Sequence, residues 1–129
     1  MKSLLPLLAL PLLIASTAIA EPRSNLPLSA WKFVAIDGKS AVSPKAELRI
    51  FEDRIEASVG CNGMGGDLRL ESGRMITGPM MSTQMYCNGL MEQERAVADL
   101  LSASPSFFAE GGRMFIHSDK HQAELTLAR

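Results

Sequence analysis

The stretch Glu47-Leu48-Arg49-Ile50-Phe51-Glu52-Asp53-Arg54-Ile55-Glu56-Ala57-Ser58-Val59 decides the architecture of this chain. Leu48 and Ile50 alternate with Glu47 and Arg49, while Ile55, Ala57 and Val59 alternate with Arg54, Glu56 and Ser58. A period of two puts one face of each segment on a core and the other in water, so residues 47–51 and 54–59 are predicted strands of an antiparallel hairpin turned at Glu52-Asp53. The same scheme recurs on both sides. Residues 31–36 form a predicted strand ending at Asp37-Gly38, and residues 67–70 and 74–77 pair around Glu71-Ser72-Gly73, with Gly78-Pro79 expected to end the run. Residues 106–109, 113–117 and 123–128 supply three more strands, separated by turns at Glu110-Gly111-Gly112 and Ser118-Asp119-Lys120.

One segment breaks the rhythm. From Gly89 to Ser102 there is no turn signal, and Leu90, Met91, Val97, Ala98 and Leu101 gather on one side of a helical projection while Glu92, Arg95 and Asp99 lie elsewhere. Asn88 is the expected N-cap and Ser104-Pro105 the expected stop. A helix with one apolar stripe needs a surface to cover, and the dry strand faces provide it. The expected fold is therefore α+β, mostly β: a curved antiparallel sheet or partial barrel wrapped around a single helix. No βα alternation supports a parallel sheet.

Residues 1–20 read as a cleaved signal peptide. Lys2 gives a small positive n-region, residues 4–14 are almost wholly apolar, and Ala18-Ile19-Ala20 forms a cleavage box. The apolar run is shorter than the ~20 residues of a spanning helix and contains Pro6 and Pro11, which argues against a membrane anchor. No cysteine follows the box, so no lipid attachment is expected there. Removing these 20 residues from 129 leaves residues 21–129 as a single domain of 109, and losing Lys2 leaves 12 basic against 14 acidic side chains. This balance lacks the basic surplus of nucleic-acid binders. The expected product is a periplasmic or secreted monomer without stable membrane insertion.

The only two cysteines are Cys61, in Gly60-Cys61-Asn62-Gly63-Met64-Gly65-Gly66, and Cys87, in Thr83-Gln84-Met85-Tyr86-Cys87. An even pair in an exported chain reads as one disulfide. Closing that loop contributes about 3 to 4 kcal/mol through loop-closure entropy. The glycines of residues 60–66 lack the Lys-Ser/Thr ending of a phosphate-binding loop and are expected to permit a turn and close backbone approach beside the disulfide. Asn62 and Thr83 are expected to hydrogen-bond loop backbone and hold the two motifs in register, with ligand contact by Asn62 as the alternative.

Together, Trp31 on its strand, Gly60-Cys61-Asn62, Thr83-x-Met85-x-Cys87, a helix carrying Glu94 and a closing hairpin resemble the META/HslJ domain family of bacterial envelope and heat-shock-associated proteins. The resemblance covers essentially the whole of residues 21–129. It implies a compact antiparallel β fold on one helix, with Gly60, Cys61, Asn62, Thr83, Met85 and Cys87 as the family motif. It also implies association with heat shock, envelope stress and antibiotic tolerance, with no established enzymatic activity. Tyr86 stands where a small residue is common, and the lipoprotein cysteine of some members is missing.

The expected function is a non-catalytic envelope or stress-associated domain, without cofactor, that binds an envelope protein, a peptide or a small apolar ligand through a sheet edge or groove. Two alternatives stay open. Met80, Met81 and Met85 crowd one segment, and thioethers suit Cu(I), although methionine is also flexible core filler in a chain this poor in aromatics. A small hydrolase would need a histidine beside a nucleophile in a cleft; His117 and His121 flank a tight turn and are read as exposed turn residues. Two histidines alone do not make a zinc site.

Overall fold

In the computed structural model, which describes residues 26–128, the alternation of residues 47–59 becomes a hairpin whose Leu48, Ile55 and Val59 are wholly buried. The described elements are β1 (Ser29–Ile36), β2 (Lys39–Ser40), β3 (Glu47–Ile50), β4 (Arg54–Ser58), β5 (Gly63–Glu71), β6 (Arg74–Thr77), β7 (Met81–Ser82), α1 (Met91–Ser102), β8 (Ser106–Glu110), β9 (Arg113–His117) and β10 (Gln122–Leu127). The signal peptide expected over residues 1–20 lies outside the described residues.

The sheet runs β1-β3-β4-β5-β6-β8-β9-β10, every neighbour antiparallel, and β10 returns to pair with β1. It is a closed eight-stranded barrel. Local pattern predicts only a curved sheet or partial barrel; closure comes from the pairing of Trp31 with Leu127 through Ile36 with Ala123, across most of the chain. A bulge at Val34 shifts the register between Phe33 and Ala35 in that seam and adds local twist. An eight-stranded barrel is just wide enough to be filled by side chains, and here Leu48, Ile55, Met75, Met114, Ile116 and Leu125 fill it.

The helix is not wrapped by strands. Its polar partners all sit at one end of the barrel: Gln93 bonds Ser40 O and Val42 N, Glu94 bonds Asn62, Leu101 O accepts from Thr77, and Asp99 approaches His121. Val97, Leu100 and Leu101 thus seal that end and extend the core. Asn88 does not cap α1. Gly89 takes a left-handed conformation (φ 81°), Leu90 N bonds Cys87 O at 3.2 Å, and Leu90 occupies the cap position without a side-chain bond. The turn imposed just after Cys87 displaces the helix start by two residues.

The turn and the close approach expected of the glycines in residues 60–66 fall to different members, and the expectation for Gly78-Pro79 changes. The turn is made by Gly60 alone (φ 109°), and Gly63, Gly65 and Gly66 lie inside β5. Gly78-Pro79 does not end the sheet: Gly78 N bonds Asp67 O, Pro79 and Met80 bulge opposite Gly66, and the chain rejoins β5 as β7 with Met81 beside Gly65 and Ser82 beside Met64. A Cβ on Gly66 would lie 2.8 Å from Pro79 O and 2.9 Å from the Met80 sulfur, so this glycine is required by the bulge. Between β6 and β8 the ladder is minimal, pairing only Arg74 with Ser106. Below it the seam is completed by Thr77, whose N–H donates to Ser104 Oγ at 3.1 Å and whose hydroxyl donates to Leu101 O at 2.6 Å.

Candidate functional site

Gly60 turns the chain at the helix-sealed end of the barrel and delivers Cys61 and Asn62 to the segment that follows β7. Cys61 and Cys87 are disulfide-bonded, with Cα atoms 5.9 Å apart. Beside them Asn62 is 2% exposed and fully engaged. Its Nδ2 donates to Met85 O and to Glu94 Oε2, each at 2.8 Å, and its Oδ1 accepts from Thr83 Oγ1 at 2.9 Å and Met85 N at 2.7 Å. Its backbone N–H donates to Glu94 Oε1 at 2.9 Å. An amide side chain offers two donors and an oxygen with two lone pairs, all occupied here, so Asn62 has no capacity left for a ligand. Thr83 Oγ1 also accepts from Gly63 N at 3.2 Å.

The sequence places Glu94 on the helix without naming its partners. Its burial had a detectable signal: positions 90, 94, 97 and 101 form one helical stripe, and a carboxylate within such a stripe must find donors. Gln93 is buried for the same reason, holding the segment after β2 through the bonds described above.

The consequence is an exposed segment on a rigid support. Residues 81–86 are all exposed, with Met81 at 75%, Met85 at 58% and Tyr86 at 79%, although the Met85 backbone is gripped on both its N–H and C=O. The methionines divide. Met64, Met75 and Met114 are core, Met80 packs partly buried against it, and Met91 Sδ accepts from Cys87 N. Of the three crowded methionines Met80 alone packs inward as core filler, whereas Met81 and Met85 face solvent.

His117 is exposed, whereas His121 is not an open turn residue. Its Nδ1 lies 2.8 Å from Asp37 Oδ2 and its Nε2 lies 3.8 Å from Asp99 Oδ2, joining the β1–β2 turn, the β9–β10 turn and the helix. Asp37 Oδ1 also accepts from Gln122 N at 2.9 Å. Burial would raise the Asp37 carboxyl, but the Gln122 N–H, the His121 hydrogen bond and the charges of His121 and Lys39 outweigh it and hold it below its ordinary value. Among the described residues the ring's hydrogen-bond and ion-pair partners are these two carboxylates, not a hydroxyl or thiol. This is a structural tie between elements rather than a nucleophile–base pair. Among the described residues no group of three or more His, Cys, Asp or Glu side chains is placed to hold a metal ion, and no helix is long and apolar enough to cross a membrane.

The family model of the META domain matches residues 24–129, which include the Cys61–Cys87 pair and the Asn62 network. The chain belongs to the META domain family. A protein solved by NMR superposes on this META domain with a TM-score of 0.71 at 21% identity, covering 80% of this chain and 92% of its own. An NMR structure of a protein from Burkholderia xenovorans does so at 0.63 and 20% identity, covering 88% and 94%. At these identities the likeness speaks for the fold alone. No curated protein matches the chain.

Proposed function

We propose that this META domain is a non-catalytic binding module of the bacterial envelope, exported by cleavage after residue 20, acting as a monomeric single domain over residues 21–129, and contacting its partner through residues 81–86. The observation that carries this reading is an apolar trio, Met81, Met85 and Tyr86, exposed on a backbone locked by a disulfide and by the saturated Asn62–Glu94 network. Those side chains add nothing to the core. Holding them in one conformation lowers the ordering cost of association, and methionine and tyrosine are enriched in interface cores. The disulfide and the leader support a location outside the cytoplasm.

The test is site-specific photo-crosslinking in cells. A photoreactive residue replacing Tyr86 is expected to yield a discrete adduct in the envelope fraction, absent when the same residue replaces Lys32 on the outer face of β1. Identical adduct patterns at both positions, or none at either, would overturn the reading. N-terminal sequencing of the exported protein checks the cleavage site, with Glu21 expected first.

A further inference from the structure

The outer face of the barrel carries a trough whose cause is visible in the register. Across β3, β4, β5 and β7, Arg49, Glu56, Gly65 and Met81 form one rung; on the next, Glu47, Ser58 and Gly63 are continued by Thr83, whose N–H bonds Gly63 O. In both rungs the β5 position is glycine, so the third strand is a bare floor between taller walls. The resulting depression measures about 720 Å³. β4 and β7 stand two strand spacings apart, about 9.5 Å, enough to lay one extended chain along β5.

Gly63 is not explained by the fold. Its φ is not left-handed, and a Cβ there would meet no atom within 4 Å, in contrast to Gly66. A side chain at 63 would be tolerated by the barrel and would fill the trough.

The charges of the walls are largely cancelled. Glu47 pairs with Arg49 at 3.3 Å and Glu56 with Arg54 at 3.0 Å. Lys45, at the end of the trough next to Gly60 and Cys61, has no ion-pair partner among the described residues. Met81 forms an apolar wall continuous with the exposed segment of residues 81–86. We propose that the trough over Gly63 and Gly65 seats an extended polypeptide segment that is uncharged along the glycine floor and places one acidic side chain against Lys45. This rests on the reading of the protein as a binding module and supplies the chemistry of its partner.

The experiment selects a displayed library of random short peptides against the oxidised protein and measures the enriched peptides, by fluorescence anisotropy, on the wild type, Gly63→Val, Lys45→Glu and Tyr86→Ser. Amide NMR spectra verify that each variant is folded, and Gly63→Ala replaces Gly63→Val if the latter is not. Enriched peptides are expected to be neutral apart from one Asp or Glu, and to lose about tenfold in affinity on Gly63→Val and again on Lys45→Glu. Peptides weakened by Tyr86→Ser but indifferent to Gly63→Val would overturn the trough and leave the binding module standing. Peptides indifferent to all three substitutions, or no enrichment, would overturn both. Enriched peptides that are basic, or that lack a carboxylate, would overturn the proposed chemistry.

Discussion

Asn62 and Glu94 meet across 32 residues as a two-pronged pair, the Asn62 backbone N–H on one carboxylate oxygen and its side-chain amide on the other, at 2.9 and 2.8 Å. Both prongs need an acceptor. Glu94→Gln is nearly isosteric yet presents an NH2 to one of two donors, leaving a buried N–H without a partner. The expected loss is about 1–3 kcal/mol, read as a lower thermal midpoint. An unchanged midpoint would mean that the pair contributes nothing.

Cys61→Ser opens the loop to Cys87 and is expected to lower stability under oxidising conditions by about 3 to 4 kcal/mol. Reducing agent should bring the wild type down to the variant and leave the variant where it was. Hydrogen exchange should show the largest gain around residues 83–88 rather than in β9 and β10. Equal midpoints for the oxidised wild type and the variant would contradict the bond.

Gly66→Ala and Gly63→Ala differ by one Cβ each, yet should behave differently. At Gly66 the new carbon meets Pro79 O and the Met80 sulfur under 3 Å, an overpacking expected to cost about 1–3 kcal/mol; at Gly63 it meets open space. Denaturant titration of both variants decides, and equal midpoints would remove the bulge as the reason for Gly66.

Asp37 has its carboxyl held below the ordinary value in the folded protein. In acid the unfolded chain therefore binds this proton first, so the stability from Asp37 is present above the ordinary carboxyl range, near pH 4, and is lost as pH falls through the lower folded value. Asp37→Asn should flatten that part of the pH dependence measured by urea unfolding. A wild-type profile and an Asp37→Asn profile that remain parallel below about pH 5 would refute the assignment.

Met81, Met85 and Tyr86 project from the surface, so replacing all three by serine is expected to change stability by less than about 0.5 kcal/mol per site, and replacing Met81 and Met85 by serine in the protein that carries the photoreactive residue at 86 is expected to abolish its crosslinks. A drop of several degrees in the thermal midpoint would instead make them structural.

The alternation of residues 47–59, the turn at Asp37-Gly38 and the single apolar stripe of the helix were legible because each is a local property: a period of two or 3.6 reports which side of a segment avoids water. The cysteine pair was legible for a simpler reason, since a chain with two cysteines has one intramolecular pairing available. The amino-acid order thus determined by itself that strands pair in hairpins, that one helix must cover them, and that Cys61 and Cys87 join.

Tertiary structure alone decided that the sheet closes, because the β1–β10 seam joins segments at opposite ends of the described chain and no local pattern encodes which distant edges meet. It decided that α1 caps the barrel rather than threading it, since an apolar stripe is the same against a sheet face or an open barrel end. It also decided the meaning of the glycines and of Glu94. A glycine can serve a turn, a close approach or an empty floor, and a carboxylate in a helix can be solvated or buried; only the neighbours brought from elsewhere in the chain distinguish these, here Pro79 for Gly66, open space for Gly63, and Asn62 for Glu94.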